Sequence, residues 1–241
     1  MKLSVIIPAF NEAKWIQRCV RSVFAAIQAN AQPGLSAEVI AVDNNSSDGT
    51  GDLARAAGAS VVFEPVNQIA RSRNAGAAAA TGDWLLFFDA DSLLPPETLA
   101  DVLETMRSGT HVGGGTVVAF DTIPWWAGPL LAAGNWLFLL FRITPGCLIF
   151  CRADVFRELG GFSKDLYAAE DADLGRRMHA WAKRNGSQIV MLRKHPPITS
   201  SRKLHLYSKP EILKLLFRFA RSPRATLRNP KDLPVFYDGR R

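Results

Sequence analysis

Short apolar runs alternate with longer amphipathic stretches through the first half of the chain. The runs at residues 3–7 and 85–88 are unbroken, which is typical of strands buried on both faces. Between the runs, apolar residues recur at helical spacing, as at Ile16, Cys19 and Val23. The pattern predicts strands over residues 3–7, 38–42, 60–63, 83–88, 111–120, 144–150 and 187–192, and helices over residues 16–27, 50–57, 70–80, 96–107 and 152–159, with another from residue 170.

Strands that alternate with helices predict βαβ units, and hence an α/β fold with a mainly parallel sheet flanked by helices. Polar clusters at residues 8–12, 43–48 and 89–92 each follow the end of a predicted strand. Because ligands of such sheets bind at the carboxyl ends of the strands, we expect the three clusters to converge on one crevice. The glycines form neither a dinucleotide fingerprint nor a phosphate-binding P-loop, which disfavours an ordinary dinucleotide or kinase site.

Asp89 and Asp91 follow the apolar run at residues 85–88. Residues two apart in extended backbone point the same way, so both carboxylates can face one site across roughly 7 Å. Carboxylate oxygens suit Mg²⁺ or Mn²⁺, which usually also bind a substrate's phosphates. An isolated Asp-x-Asp is common, however, and two acids can simply end a strand and face water. The neighbouring polar clusters favour the metal site.

A second acidic pair, Glu170 and Asp171, opens a predicted helix. Acids in a first helical turn often only complement the helix dipole. In the functional alternative, the same dipole keeps Asp171 ionised and ready to accept a proton.

The segment 123–143 has nearly the length needed to cross a bilayer, with Arg142 as its only charge. Pro124, Pro129 and Asn135 interrupt the segment, which favours a buried or membrane-facing helix over a span. Its tryptophans are of the kind found at membrane interfaces.

The net charge of +7 is concentrated at the C-terminal end. Residues 201–241 hold 11 Lys and Arg against three acids, and residues 210–220 predict a basic amphipathic helix that lies on a membrane or docks on the domain. We therefore divide the chain into a domain over residues 1–200 and a basic tail over residues 201–241. The tail and the segment 123–143 are candidates for peripheral contact with a membrane. The basic residues lack a nucleic-acid recognition motif, so no nucleic-acid partner is expected.

The three cysteines provide no disulfide framework. Cys147 and Cys151 are predicted to be core residues, because no second pair stands nearby to complete a zinc site. The N-terminal residues lack the features of a signal peptide. These observations predict a cytoplasmic protein, with the inner face of the membrane as a candidate location.

Five motifs, in this order, resemble those of the family 2 glycosyltransferases of GT-A fold. They are residues 5–12 (VIIPAFNE), 42–50 (VDNNSSDGT) and 71–76 (RSRNAG), then Asp89-Ala90-Asp91 and Glu170-Asp171. The resemblance implies a metal-dependent, inverting enzyme that moves a sugar from a nucleotide diphosphate sugar to an acceptor hydroxyl. A membrane-associated or lipid-linked acceptor is a candidate, and residues 144–147 and 160–162 resemble the acceptor-side loops.

The resemblance also implies roles for individual residues. Asp91 would bind the Mg²⁺ or Mn²⁺ ion, and Asp89 would hold the donor ribose or a metal-bound water. Asp171 would be the general base that deprotonates the acceptor, and Glu170 would position the acceptor. Asp43 would accept a hydrogen bond from the base of the donor. The residues expected to contact the nucleotide-sugar are Pro8, Asn11, Glu12, Asp43, Asn44, Arg71, Arg73, Asn74, Asp89 and Ala90.

The chain departs from the family pattern after the last core strand, where many relatives have a histidine that completes the metal site. Here His195 comes too early and His205 too late, so Arg202 or Lys203 is the alternative that neutralises the diphosphate. Two other functions stay open from the sequence. One is a nucleotidyltransferase, in which Glu170-Asp171 has no obvious role, and the other is a non-catalytic adaptor that binds a membrane or nucleic acid through its tail.

Overall fold

The computed structural model describes residues 1–122, 128, 147–202, 206 and 222–233 and contains two β-sheets. Its strands are β1 (Lys2–Ala9), β2 (Ser36–Asp43), β3 (Ser60–Phe63), β4 (Trp84–Phe88), β5 (Ser92–Leu93), β6 (His111–Thr116), β7 (Ala119–Phe120), β8 (Leu148–Arg152), β9 (Gln188–Leu192) and β10 (Ile198–Thr199). The large sheet has seven strands in the order β3-β2-β1-β4-β8-β6-β9, and the small sheet has the order β5-β10-β7.

In the large sheet, β8 runs antiparallel to its neighbours β4 and β6, and the other pairs of strands are parallel. The helices are α1 (Ile16–Ala29), α2 (Thr50–Ala56), α3 (Ile69–Ala79), α4 (Pro96–Arg107), α5 (Ala153–Glu158), α6 (Glu170–Arg184) and α7 (Pro223–Arg228), followed by a 3-10 helix, Pro230–Asp232. The predicted α/β fold with a mainly parallel sheet flanked by helices is confirmed.

Helices cover both faces of the large sheet, because successive strand residues point into two separate cores. Val5 and Leu86 pack with α1 and α4, whereas Ile6 and Phe87 pack with α3, α5 and α6. All residues of β4 are buried, which explains its unbroken apolar run. Cys151 lies in the second core, as predicted.

Helix α3 approaches the sheet closely because residue 76 is glycine. A Cβ atom at this position would come within 2.4 Å of Ile6 Cγ2 and 2.8 Å of Val42 Cγ2. Any larger side chain would therefore push α3 away from β1 and β2. The close packing brings Arg73 and Asn74, on the same helix, towards the carboxyl ends of the strands.

Two details of the predicted order are wrong. Residues 111–120 do not form one strand, because β6 ends at Thr116 and β7 joins the small sheet. Arg152 ends β8 instead of beginning the next helix. The sheet is mixed, as the family resemblance implied, but which strand is antiparallel could not be predicted, because an apolar run buried on both faces carries no sign of its direction.

The small sheet joins distant segments of the chain beside Asp91. Ser92 Oγ donates a hydrogen bond to Thr199 Oγ1 at 2.9 Å, and the backbone N–H of Ser200 donates to the carbonyl of Asp91 at 3.1 Å. Because β10 also pairs with β5, residues 198–202 are held next to the end of β4.

Residues 222–233 pack against the domain. Thr226 and Leu233 are buried, and the backbone N–H of Tyr167 donates to the carbonyl of Leu227 at 2.7 Å. The predicted amphipathic helix at residues 210–220 lies outside the described residues, as does the segment 123–143 apart from residue 128. Within the described ranges, no helix combines the length and the apolar character needed to span a membrane.

Candidate active site

Hydrogen bonds join the loops that follow β1 and β2. The backbone N–H of Asn11 donates to Ser46 Oγ at 3.0 Å, and Asn11 Oδ1 accepts from the backbone N–H of Ser47 at 2.9 Å. Asp43, the last residue of β2, accepts from the N–H of Ser46 at 2.9 Å. Two of the polar clusters predicted to converge are therefore in direct contact.

Asp48 and Thr50 fix the backbone around Glu12. Thr50 Oγ1 accepts from the N–H of Glu12 at 2.8 Å, and Asp48 accepts from the N–H of Ala13 at 3.0 Å. Asp48 was predicted to cap α2, but the N-cap residue is Gly49; Asp48 lies one residue earlier and accepts from the first N–H of the helix, that of Thr50, at 3.1 Å. Burial opposes the ionisation of Asp48, but the hydrogen bonds from Thr50 and Ala13 outweigh it and lower the pKa of this carboxyl.

The side chain of Asn44 organises neighbouring loops. Its Nδ2 donates to two carbonyls of the loop after β3, at 3.1 and 2.6 Å, and its Oδ1 accepts from the N–H of Gln68 at 3.0 Å. Gln68 is buried, and its Nε2 donates to the carbonyls of Lys164 at 2.8 Å and Leu166 at 3.0 Å. Gln68 was not predicted, because a lone glutamine before a helix carries no motif. Together the two amides tie the loops after β2 and β3 to the loop before α6.

Arg73, Asp89 and Glu170 form an ion-paired group, here called the Arg73 cluster. Arg73 Nη1 lies 2.6 Å from Glu170 Oε1, and Arg73 Nη2 lies 3.1 Å from Asp89 Oδ1. The guanidinium carbon lies 5.2 Å from the centroid of the Phe162 ring, and Arg73 is only 1% exposed. A charge this deeply buried is tolerated because carboxylates pair with it. The cluster joins the end of β4 to the beginning of α6.

Glu170 and Asp171 differ in environment although they are adjacent. Burial raises the pKa of the Glu170 carboxyl to about 7, while the charge of Arg73 acts in the opposite direction and that of Asp171 adds to the increase. Asp171 is half-buried, and its Oδ1 accepts from the N–H of Ala172 at 2.7 Å. Glu170 is therefore committed to Arg73, whereas Asp171 is the more accessible acid.

Asn74 holds the loop before α6 through both its amide atoms. Its Nδ2 donates to the carbonyl of Phe162 at 2.8 Å, and its Oδ1 accepts from the N–H of Phe162 at 2.9 Å. Arg177, on α6, donates to the carbonyls of Leu159 and Gly161, each at 2.7 Å. Arg177 was not predicted as a site residue, because it lies in no motif. These contacts fix Phe162 against the Arg73 cluster.

Arg202, Glu12 and Asp91 form a second ion-paired group, here called the Arg202 cluster. Arg202 Nη2 contacts Glu12 Oε1 and lies 3.1 Å from Asp91 Oδ2. The side chains of Arg202 and Asp91 are 13% and 12% exposed. His195 is not part of this group, since its Nδ1 lies 3.0 Å from Asp101 Oδ2. Lys203 and His205 lie outside the described residues.

Asp89 and Asp91 are the candidate metal ligands, and each has one carboxylate oxygen 3.1 Å from an arginine. Within the described ranges, no group of three or more His, Cys, Asp or Glu side chains has metal-binding geometry. Mg²⁺ in phosphate sites is commonly bound by one or two carboxylates, with substrate phosphates and waters as the other ligands. The two aspartates fit an ion of that kind.

The other residues predicted to contact the donor are not part of the two ion-paired clusters. Pro8 is buried in β1 opposite Val42, and Ala90 is buried between the two aspartates. Arg71, on α3, is half-buried, and its side chain forms no hydrogen bond or ion pair with the described residues.

The fold is that of the GT-A glycosyltransferases. A mannosyltransferase from Pyrobaculum calidifontis, in complex with GDP-Man and Mn²⁺, matches with a TM-score of 0.66 at 20% identity, over 96% of this chain and 64% of that one. S. aureus TarS 1-349, in complex with UDP-GlcNAc, matches with a TM-score of 0.65 at 19% identity, over 99% of this chain and 73% of that one. The GT-A fold implied by the sequence resemblance is confirmed.

The sequence profile of glycosyl transferase family 2 matches residues 4–160, which is more than half of the chain. The chain therefore belongs to this family, as its motifs implied. The dolichol-phosphate mannosyltransferase of Pyrococcus furiosus is 32% identical over 124 residues, covering 48% of this chain and 33% of that protein. An undecaprenyl-phosphate 4-deoxy-4-formamido-L-arabinose transferase of Serratia proteamaculans is 31% identical over 120 residues, covering 47% of this chain and 36% of that protein. The match spans about a third of the length of these relatives.

Proposed function

We propose that this chain is a metal-dependent, inverting glycosyltransferase that moves a sugar from a nucleotide diphosphate donor to an acceptor hydroxyl. The supporting observation is that two arginines connect the Asp89-Ala90-Asp91 turn to two other parts of the site. Arg202 connects the turn to the loop after β1, and Arg73 connects it to the acidic start of α6. Donor-side loops and a candidate base thus share one edge of the sheet, where ligands of α/β folds bind.

In this proposal the donor lies across the loops after β1 and β2. Pro8 and Glu12 line the nucleoside pocket, and Asp43 accepts a hydrogen bond from the base. Asp89 and Asp91 hold Mg²⁺ or Mn²⁺, which supplies positive charge to neutralise the leaving diphosphate. Arg71 lies two residues before Arg73 and forms no ion pair with the described residues, so its side chain is available to bind the nucleotide.

Asp171 is the general base, because it is the more accessible member of the acidic pair. It removes the proton from the acceptor hydroxyl as the oxygen attacks the anomeric carbon from the face opposite the diphosphate. A single displacement of this kind inverts the anomeric configuration. Glu170, held by Arg73, positions the backbone that carries Asp171.

An acceptor hydroxyl on a lipid-linked molecule is the favoured substrate class, because two relatives are named for the lipids dolichol phosphate and undecaprenyl phosphate. In that case the segment 123–143 and the tail over residues 201–241 would contact the membrane surface, with the acceptor reached from its cytoplasmic side.

The metal role is tested with Asp91→Asn. Transfer or donor hydrolysis in the presence of Mn²⁺ should fall roughly a hundredfold or more, since several kcal/mol of charge stabilisation are lost. The measurement is release of nucleoside diphosphate from a panel of UDP- and GDP-sugars, with and without Mn²⁺. Asp52→Asn, on the exposed surface of α2, is the matched control and should behave as wild type. Unchanged turnover of Asp91→Asn would refute the metal role.

The base is tested separately with Asp171→Asn. Transfer should slow by about a hundredfold to ten-thousandfold, the usual contribution of a general base. Affinity for the nucleoside diphosphate, measured by calorimetry, should stay at the wild-type value because Asp171 faces the acceptor. A loss of donor affinity that accounts for the whole defect would assign Asp171 to the donor site instead.

A further inference from the structure

Arg202 pairs with one of the two carboxylate oxygens that Asp91 offers to the candidate cation. Arg202 Nη2 lies 3.1 Å from Asp91 Oδ2, and the same nitrogen contacts Glu12 Oε1. A single guanidinium nitrogen therefore bridges the candidate metal ligand and the loop after β1. A divalent ion bound to Asp91 Oδ2 must displace this nitrogen or lie directly beside a positive charge.

The position of Arg202 is set by the backbone and not by chance contact of a long side chain. Its N–H donates to Ser200 Oγ at 3.3 Å, and the N–H of Ser200 donates to the carbonyl of Asp91 at 3.1 Å. The preceding residues pair with β5 as β10. The segment that carries Arg202 is thus fastened to the residue with which its side chain pairs.

One N–H donor of the Arg202 guanidinium is available to bind an anion. Arg202 Nε is buried and has no hydrogen-bond acceptor among the described residues. A buried donor without an acceptor is unusual in a folded protein, and a bound ligand is one explanation. An arginine fork with a free donor suits the oxygens of a diphosphate.

We propose that Arg202 makes binding of the divalent cation conditional on the donor diphosphate. Without a diphosphate, Arg202 neutralises Asp91 and repels a cation. When the diphosphate arrives, its negative charge attracts both the cation and the guanidinium, so Arg202 shifts towards the phosphate oxygens and Asp91 Oδ2 becomes available. By linkage, the cation and the nucleotide then strengthen each other's binding by the same factor. This inference rests on the proposed function, because it assumes that Asp91 is a metal ligand.

The test measures Mn²⁺ binding directly, by electron paramagnetic resonance of free Mn²⁺, without a sugar or an acceptor. Titrations are made with the full chain alone and with UDP or GDP, each corrected by the same titration without protein. The variants are Arg202→Gln, which removes the charge, and Arg202→Lys, which keeps it. Arg55→Gln is the matched control, because it removes an arginine from an exposed ion pair with Asp52 on α2. Thermal unfolding verifies that each variant is folded.

We expect Arg202→Gln to bind Mn²⁺ alone about tenfold or more tightly than wild type, a factor usual for coupled sites. UDP or GDP should increase the affinity for Mn²⁺ by a smaller factor in this variant than in wild type. Arg202→Lys and Arg55→Gln should stay close to wild type. If Arg202→Gln has wild-type affinity for Mn²⁺ alone while wild type binds Mn²⁺ with a nucleotide, the inference fails and the proposed function stands. If wild type binds no Mn²⁺ even with UDP and GDP, both fail.

Discussion

Arg73 and Arg202 each bridge two carboxylates at the carboxyl edge of the sheet, and each pairs with one aspartate of the Asp89-Ala90-Asp91 turn. Arg73 is 1% exposed and lies against Phe162, between a core helix and a core strand. The Arg202 side chain is 13% exposed and comes from a segment held by a strand of two residues. The arginine is therefore a fully buried core residue in one cluster and a slightly exposed residue on a short edge segment in the other, although the carboxylates around Arg202 are less exposed than Asp89.

The largest effect that separates the clusters is expected in stability. Arg73→Gln should lower the free energy of unfolding by about 3–5 kcal/mol, because it leaves the buried Glu170 and the partly exposed Asp89 without their cation. Arg202→Gln should cost less, about 1–3 kcal/mol, because the Arg202 side chain is more exposed than that of Arg73 while Glu12 and Asp91 are still largely buried. Urea denaturation of both variants measures the difference. Equal losses would mean that the two clusters are equally structural.

The order of most strands and helices could be predicted from the sequence, because strands buried on both faces have a strong local pattern of apolar residues. β1 and β4 appear as unbroken apolar runs, and the helices between strands appear as spaced apolar residues. The loops at the strand ends could be located for the same reason. The two-residue strands β5, β7 and β10 are too short to produce any period, so the small sheet was missed.

The pairing inside the clusters could not be predicted from the sequence alone. Arg73 and Glu170 are 97 positions apart, and Arg202 and Glu12 are 190 positions apart. An ion pair at such a separation depends on the packing of several elements and has no local pattern. The motifs identified Arg73 and Glu170 as site residues, but assigned them to opposite substrates and not to each other.

The rigidity of the Arg73 cluster can be tested through the loop that holds Phe162. Gly161 has φ 71°, and a Cβ there would come within 2.6 Å of Asn74 Oδ1. Gly161→Ala should therefore cost about 2–3 kcal/mol, from the left-handed backbone and the clash together. Gly160→Ala is the matched control, because Gly160 has φ 75° but open space around its Cβ position. Gly160→Ala should lower the free energy of unfolding only by the cost of the left-handed backbone, about 1 kcal/mol.

Urea denaturation of these two alanine variants measures the contribution of the contact with Asn74. If Gly161→Ala is no more destabilising than Gly160→Ala, the loop can move away from Asn74 with little loss of folding free energy. The Arg73 cluster would then be less rigid than its burial implies.

The smallest effect concerns the charge of Glu170, whose carboxyl has its pKa raised by burial from 4.5 to about 7. Between these values the folded state binds the proton more strongly than the unfolded state, so the free energy of unfolding should fall as pH rises through this window. Glu170→Gln removes the titrating group, so the difference between wild type and this variant isolates the effect from the histidines. We expect wild type to lose about 1–2 kcal/mol more than Glu170→Gln between pH 5 and pH 8. Parallel profiles in urea denaturation would mean that Arg73 keeps Glu170 ionised throughout, and that the Arg73 cluster is a fixed ion pair with no protonated form.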